Sequence, residues 1–166
     1  MNQYWPDVRS LLEILSYMIK DADSEGVEIR FSNSNHHVKS RHTTKLLKSF
    51  DRLDPKGSED ISASLQRILS RYVLNLGELT RSPSILTNHK TLRPLNLYIF
   101  SNGKWSSDSD VQVFIKNFSH KLAQIDPRKS SHVGIQFIKF GADPSGQTQF
   151  SRLDDGSYFK SSVTPS

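Results

Sequence analysis

Three short segments of β type stand apart in this sequence, and each is separated from the next by a stretch with helical spacing. Val27-Glu28-Ile29-Arg30-Phe31-Ser32 alternates with period two, as a strand with one buried face does. Leu95 to Phe100 is a nearly continuous apolar run between Pro94 and Asn102-Gly103, the pattern of a strand covered on both faces. Val133 to Phe140 is a third run, ended by Gly141. Strands that alternate with amphipathic helices require crossover connections, and crossovers predict a parallel sheet covered by helices. The expectation is an α/β fold with a three-layer, doubly wound, mostly parallel sheet.

The helical stretches carry their own punctuation. Val8, Leu11, Leu12, Leu15, Ile19 and Ala22 recur at three- and four-residue steps, with Pro6 and Asp7 suited to a first turn and Gly26 to a stop. Thr43–Leu53 is a weaker helix that Asp54-Pro55-Lys56-Gly57 breaks. Ile61, Leu65, Ile68, Leu69, Tyr72, Val73 and Leu76 make the strongest stripe, with Ser58 or Asp60 as its cap. Val111, Phe114, Ile115, Phe118, Leu122 and Ile125 predict a helix opened by Ser107 or Asp108, and Pro144 to Leu153 a short one. Asn33 to His37 is expected to be a polar turn, and Leu79 to Arg93 a long basic loop. One domain is expected over residues 1–156, with a frayed tail over 157–166.

Composition narrows the function classes. The apolar share is 35%, and the 26 serines take up much of the deficit. No apolar run approaches the ~20 residues that span a bilayer. There is no cysteine, which excludes thiol catalysis, thiolate metal sites and a disulfide scaffold. The first residues have neither the basic nor the apolar region of a secretory signal, so a cytoplasmic or nuclear location is expected. Net charge is +5, distributed as −3 over residues 1–30, +4 over 31–56 and +4 over 79–105. The basic excess therefore falls in connections more than on helix faces.

In open α/β sheets ligands bind at the carboxyl ends of the strands. That rule selects Ser32–His37, Gly57–Asp60 and Ser101–Ser107 as candidate site loops. His36, His37 and His42 with Lys39, Arg41, Lys45 and Lys48 suit an acidic partner or a phosphate, although a solvated face is the plainer reading. Glu59-Asp60 reads as an acid/base pair or, more simply, as helix N-terminal charge. No nucleophile elbow, phosphate-binding Gly-x-x-x-x-Gly-Lys loop or His-Glu-x-x-His is present. Gly141 to Thr148 echoes a phosphate loop but has no Lys.

Four blocks, taken in order, resemble the von Willebrand factor A-type domain, most closely its cytosolic fungal branch. Trp5-Pro6-Asp7-Val8-Arg9 leading to Asp23–Asn33 is similar to that family's first helix and following strand. Phe50–Ile61, with Pro55-Lys56-Gly57-Ser58-Glu59-Asp60, is similar to its P-x-G-x-T-D loop. Pro94–Gly103 resembles its strand ending in T-D-G, and Val133–Ile138 through Leu153-Asp154-Asp155 its later strand and LDD helix. The resemblance implies a protein-interaction module whose family holds one Mg²⁺ through Asp-x-Ser-x-Ser, a loop Thr and the Asp of T-D-G.

This chain departs from that set at each ligand. No Asp-x-Ser-x-Ser precedes Trp5, Glu59 stands at the Thr position with Ser58 one place early, and neutral Asn102 replaces the Asp. The resemblance thus implies a degenerate metal site, no cofactor and no catalysis, with Mg²⁺ only if an upstream Asp-x-Ser-x-Ser strand exists. It also implies a sheet lacking its first central strand, as in a fragment, unless 27–32 pairs directly with 95–100. The implied contact residues are Asn33, Asn35, Ser58, Glu59, Asp60, Ser101, Asn102 and Trp105. The rival expectation is a basic domain binding nucleic acid or anions through 36–56 and 79–93. Those segments offer only Phe50 for base stacking.

Overall fold

A computed structural model describes residues 2–32, 34–53, 61–81, 92–104, 108–125 and 132–154 of the chain. The chain is mixed α/β and divides into two compact units, Met1–Asp60 and Ile61–Ser166.

In the first unit a single turn of 3-10 helix leads into α1, Trp5–Ile19, followed by β1, Val27–Phe31, β2, Ser34–Ser40, and α2, Thr43–Phe50. Pro6 and Asp7 sit in the first turn of α1, where a missing N–H costs nothing and a carboxylate meets the positive end of the dipole. α1 buries Val8, Leu12 and Ser16, and α2 buries Leu46, Leu47, Ser49 and Phe50. Phe50 anchors an aromatic group: its ring stacks on Trp5 at 4.2 Å between centroids and lies 6.1 Å from Phe31. On the surface the Arg9 guanidinium grips Asp51 through Nε to Oδ1 at 2.7 Å and Nη2 to Oδ2 at 3.2 Å. That grip holds the Asp51 carboxyl below its ordinary range.

The polar turn expected over Asn33–His37 is corrected here. Ser34 to His37 belong to β2, which runs antiparallel to β1 from Val27↔Ser40 to Arg30↔His37, with a register shift before Phe31↔Ser34. Val38 is the lone aliphatic residue in β2, so its backbone pairing to β1 rather than apolar alternation makes it a strand. Asn33 itself lies outside the described residues.

The second unit contains α3, Ile61–Arg81, β3, Leu95–Ser101, α4, Asp108–Ile125, β4, Val133–Lys139, and α5, Pro144–Asp154. β3 and β4 are parallel, in register from Leu95↔Val133 to Ser101↔Lys139, and α4 is their crossover. α3 and α4 bury one core of Ile61, Leu65, Leu69, Tyr72, Leu76, Val111, Ile115, Phe118 and Leu122. Leu95, Leu97, Ile99, Val133, Ile135 and Phe137 pack on it from the sheet, and Phe150 and Leu153 from α5. Two expectations change. α3 carries the helix on to Arg81, so residues 79–81 are helical and not loop; residues 82–91 lie outside the described residues. Cover on both faces of β3 was expected, but among the described residues Asn96 and Tyr98 on the face opposite the core are exposed.

Among the described residues the strands form two separate two-stranded sheets, β1–β2 and β3–β4. Parallel pairing, expected for most of the sheet, is confined among the described residues to β3–β4, and the partner of 27–31 is the antiparallel strand 34–40. No helix among the described residues is long and apolar enough to cross a membrane.

Candidate functional site

The carboxyl ends of β3 and β4 are where a parallel pair presents a site, and there the chain builds a compact polar corner. Ser101 ends β3 fully buried. Its carbonyl accepts the Phe140 N–H at 2.8 Å, which ties the two strand ends together. Its Oγ accepts the Gly103 N–H at 3.1 Å, and Asn102 Oδ1 accepts the Lys104 N–H at 3.1 Å. Two successive side chains thus satisfy the backbone donors of a turn that has left the ladder.

The turn is pressed against the first turn of α5. Gly103 has φ +78, a conformation that costs an L side chain about 1–2 kcal/mol. A Cβ on Gly103 would lie 2.6 Å from the Gly146 Cα, and a Cβ on Gly146 would lie 2.3 Å from the Asn102 carbonyl oxygen. The two glycines permit this approach, and nothing larger fits without movement.

A charged clasp closes the corner. Asp143 stands immediately before α5, and its Oδ1 accepts the N–H of Ser145 at 3.0 Å and the Ser145 hydroxyl. This is an N-cap interaction. Its Oδ2 faces Lys104 Nζ at 2.7 Å. Lys104 first, and then Ser145, hold the Asp143 carboxyl far below the usual carboxylate range. The clasp is largely solvated, so it fixes geometry more than it adds stability.

Of the eight candidate residues, this corner contains Ser101 and Asn102. Asn35 lies in β2, and its side chain is not described. Asn33, Ser58, Glu59, Asp60 and Trp105 lie outside the described residues. Sequence reasoning placed Lys104 in a candidate loop, Ser101–Ser107, without giving it a role, and missed Asp143, Ser145 and Gly146. The signal available was the Gly141–Thr148 stretch, read only as a phosphate-loop echo without its Lys; Lys104 reaches Asp143 from a different loop. Sequence reasoning also missed that His36 Nε2 lies 2.7 Å from Ser49 Oγ, joining β2 to α2. Among the described residues no cluster of three or more His, Asp or Glu side chains is placed to hold a metal ion.

Chemically, the corner offers one ammonium, one carboxylate already engaged with it, hydroxyls and backbone amides. Such a surface makes hydrogen bonds and charge contacts. No family model, no curated protein and no solved structure matches the chain.

Proposed function

We propose that the chain is a non-catalytic protein-interaction module of the von Willebrand factor A type, with a degenerate metal site, working in the cytoplasm. Its contact surface is the strand-end corner at Asn102 and Lys104, with Gly103 buried beneath them. The observation that carries this reading is the rigid, polar turn at the carboxyl end of parallel strands β3 and β4, held by Ser101 and by the Lys104–Asp143 clasp. A preorganised turn loses little entropy on meeting a partner. Asn33, Asn35, Ser58, Glu59, Asp60 and Trp105 are further contact residues that the family resemblance alone implies.

In this proposal the fold is a three-layer doubly wound sheet that lacks, within these residues, its first central strand. The parallel pairing of β3 and β4 through the crossover helix α4 supports it.

Neutral Asn102 at the expected Asp position supports metal independence, because an amide oxygen contributes no charge to a hard cation. The test is thermal melting of the full chain with and without millimolar Mg²⁺ or Mn²⁺. A bound cation at 100 times its dissociation constant stabilises by about 2.7 kcal/mol. The proposal expects no saturable rise in melting temperature, and such a rise refutes the degenerate site.

A further inference from the structure

We infer that the outward face of α2 is a contact surface for an acidic helical segment of a partner protein. The surface belongs to the first unit and does not depend on the corner in the second. Lys45, Lys48 and Arg52 follow one another at steps of three and four residues, and all are exposed. Residues at those steps share one side of a helix. Arg52 lies just past the end of α2, where the Asp51 N–H still donates to the Leu47 carbonyl at 2.8 Å and Asp51 keeps right-handed helical angles. Arg41, also exposed, stands just before the helix, four residues ahead of Lys45. The other side of α2 buries Leu46, Leu47, Ser49 and Phe50.

The unit pairs its other cations and leaves these. Among its described residues, Arg9 is held by Asp51 and Glu13, Arg30 by Glu28 and Lys39 by Glu25, and Lys20 lies over the Tyr17 ring. Arg41, Lys45, Lys48 and Arg52 have no ion pair among the described residues. Two of the placements also cost the free chain stability. Lys45 sits in the first turn of α2, at the positive end of the dipole, and that turn has no acidic residue. Lys48 is favoured by the dipole at the other end, but Arg52 stands four residues beyond it as a like charge, which repels. Carboxylates supplied from outside offset both costs.

Charge and spacing select the occupant. Residues 1–60 carry nine Lys and Arg against ten Asp and Glu, a net of −1. A net-acidic unit does not draw a long polyanion such as nucleic acid, whereas a short acidic segment meets only the stripe, within a screening length of about 8 Å. Phe50, the one Phe, Tyr or Trp between Arg41 and Arg52, is buried against Trp5 and offers no face to a base. Lys45 to Arg52 covers ~10 Å along the axis at the rise of a helix. Carboxylates at three- and four-residue steps of a second helix repeat those intervals, while same-face side chains of a strand advance by about 6.7 Å each and fall out of step.

The experiment uses the full chain and two labelled, alanine-rich peptides of about 16 residues, long enough to be helical alone. One carries three glutamates on a single face at three- and four-residue steps. The other has the same composition with the glutamates spread around the helix. Fluorescence anisotropy measures binding at low and at physiological salt, and a short DNA duplex serves as a third probe. The expected result is that the one-faced peptide binds about threefold tighter than the spread one, and more weakly as salt rises. Lys45→Gln, Lys48→Gln and Arg52→Gln each weaken it about two- to fivefold, as loss of an exposed ion pair does. Lys121→Gln, the same charge change on the exposed side of α4, leaves binding as it was. In the free chain Lys45→Gln melts no lower than the parent, so its weaker binding is not loss of fold. Failure of the one-faced peptide to bind, equal binding of the two peptides, equal weakening by Lys121→Gln, or tighter binding of the duplex overturns the inference.

Discussion

Two alanine substitutions at helical glycines are expected to act in opposite directions. Ala is favoured over Gly in a helix by about 1 kcal/mol, because Gly gives up more backbone freedom on folding. At Gly77, in α3, a Cβ meets nothing within 4 Å. Gly77→Ala is therefore expected to stabilise by about 0.5–1 kcal/mol, a rise in melting temperature of about 1–4 °C for a chain of this size. At Gly146 the same propensity gain is opposed by a Cβ 2.3 Å from the Asn102 carbonyl oxygen and 3.4 Å from the Gly103 Cα. Overpacking of that kind costs about 1–3 kcal/mol, and the obstacle is backbone, which cannot rotate away as a side-chain tip would. Gly146 also lies in the first turn of α5, where propensity counts for less, so Gly146→Ala is expected to destabilise by about 1–2 kcal/mol net. The assay is urea and thermal unfolding of both variants followed by far-ultraviolet circular dichroism. Equal stabilisation by the two substitutions would refute the close approach of the β3 turn to α5, and with it the rigid corner.

Ser101→Ala removes the acceptor for the Gly103 N–H in a buried turn, and is expected to cost about 1–3 kcal/mol in urea unfolding. Phe50→Ala opens a cavity beside Trp5 and Phe31, and is expected to cost about 3–5 kcal/mol; Trp5 fluorescence reports the loss of the stack. Acid titration should reveal the two depressed carboxyls. Asp51 and Asp143 both have folded values below the unfolded carboxylate value of about 3.9, so their contribution is complete above it and is lost as pH falls through the folded values. The stability loss below about pH 4 should be smaller in an Asp51→Asn, Asp143→Asn double variant than in the parent, and an equal loss would contradict the assignment.

The regular elements were legible where burial imposes a period. The stripes in α1, α3 and α4 and the apolar runs of β1, β3 and β4 announce themselves because one face of each meets a core. β2 did not, because Ser34-Asn35-His36-His37-Val38-Lys39-Ser40 has almost no apolar pattern and owes its extended form to the backbone of β1. The candidate corner was half legible. Strand-end logic selects Ser101 and Asn102, whereas the Lys104–Asp143 clasp and the Gly103–Gly146 approach join residues far apart in sequence. No local spacing encodes such contacts. Coverage of β3 was overstated because Tyr98, which reads as apolar, lies on the exposed face.

The central claim is that the corner meets a protein without a metal bridge. A photo-cross-linking amino acid placed at exposed position 142 beside the corner of the full chain, in cells, tests it directly and leaves the Lys104–Asp143 clasp intact, with position 121 on the exposed side of α4 as the comparison. The account predicts a discrete protein adduct at 142 that persists in chelator and after nuclease treatment, with none at 121. Equal labelling at both positions, an adduct abolished by chelator, or one that nuclease removes would contradict it.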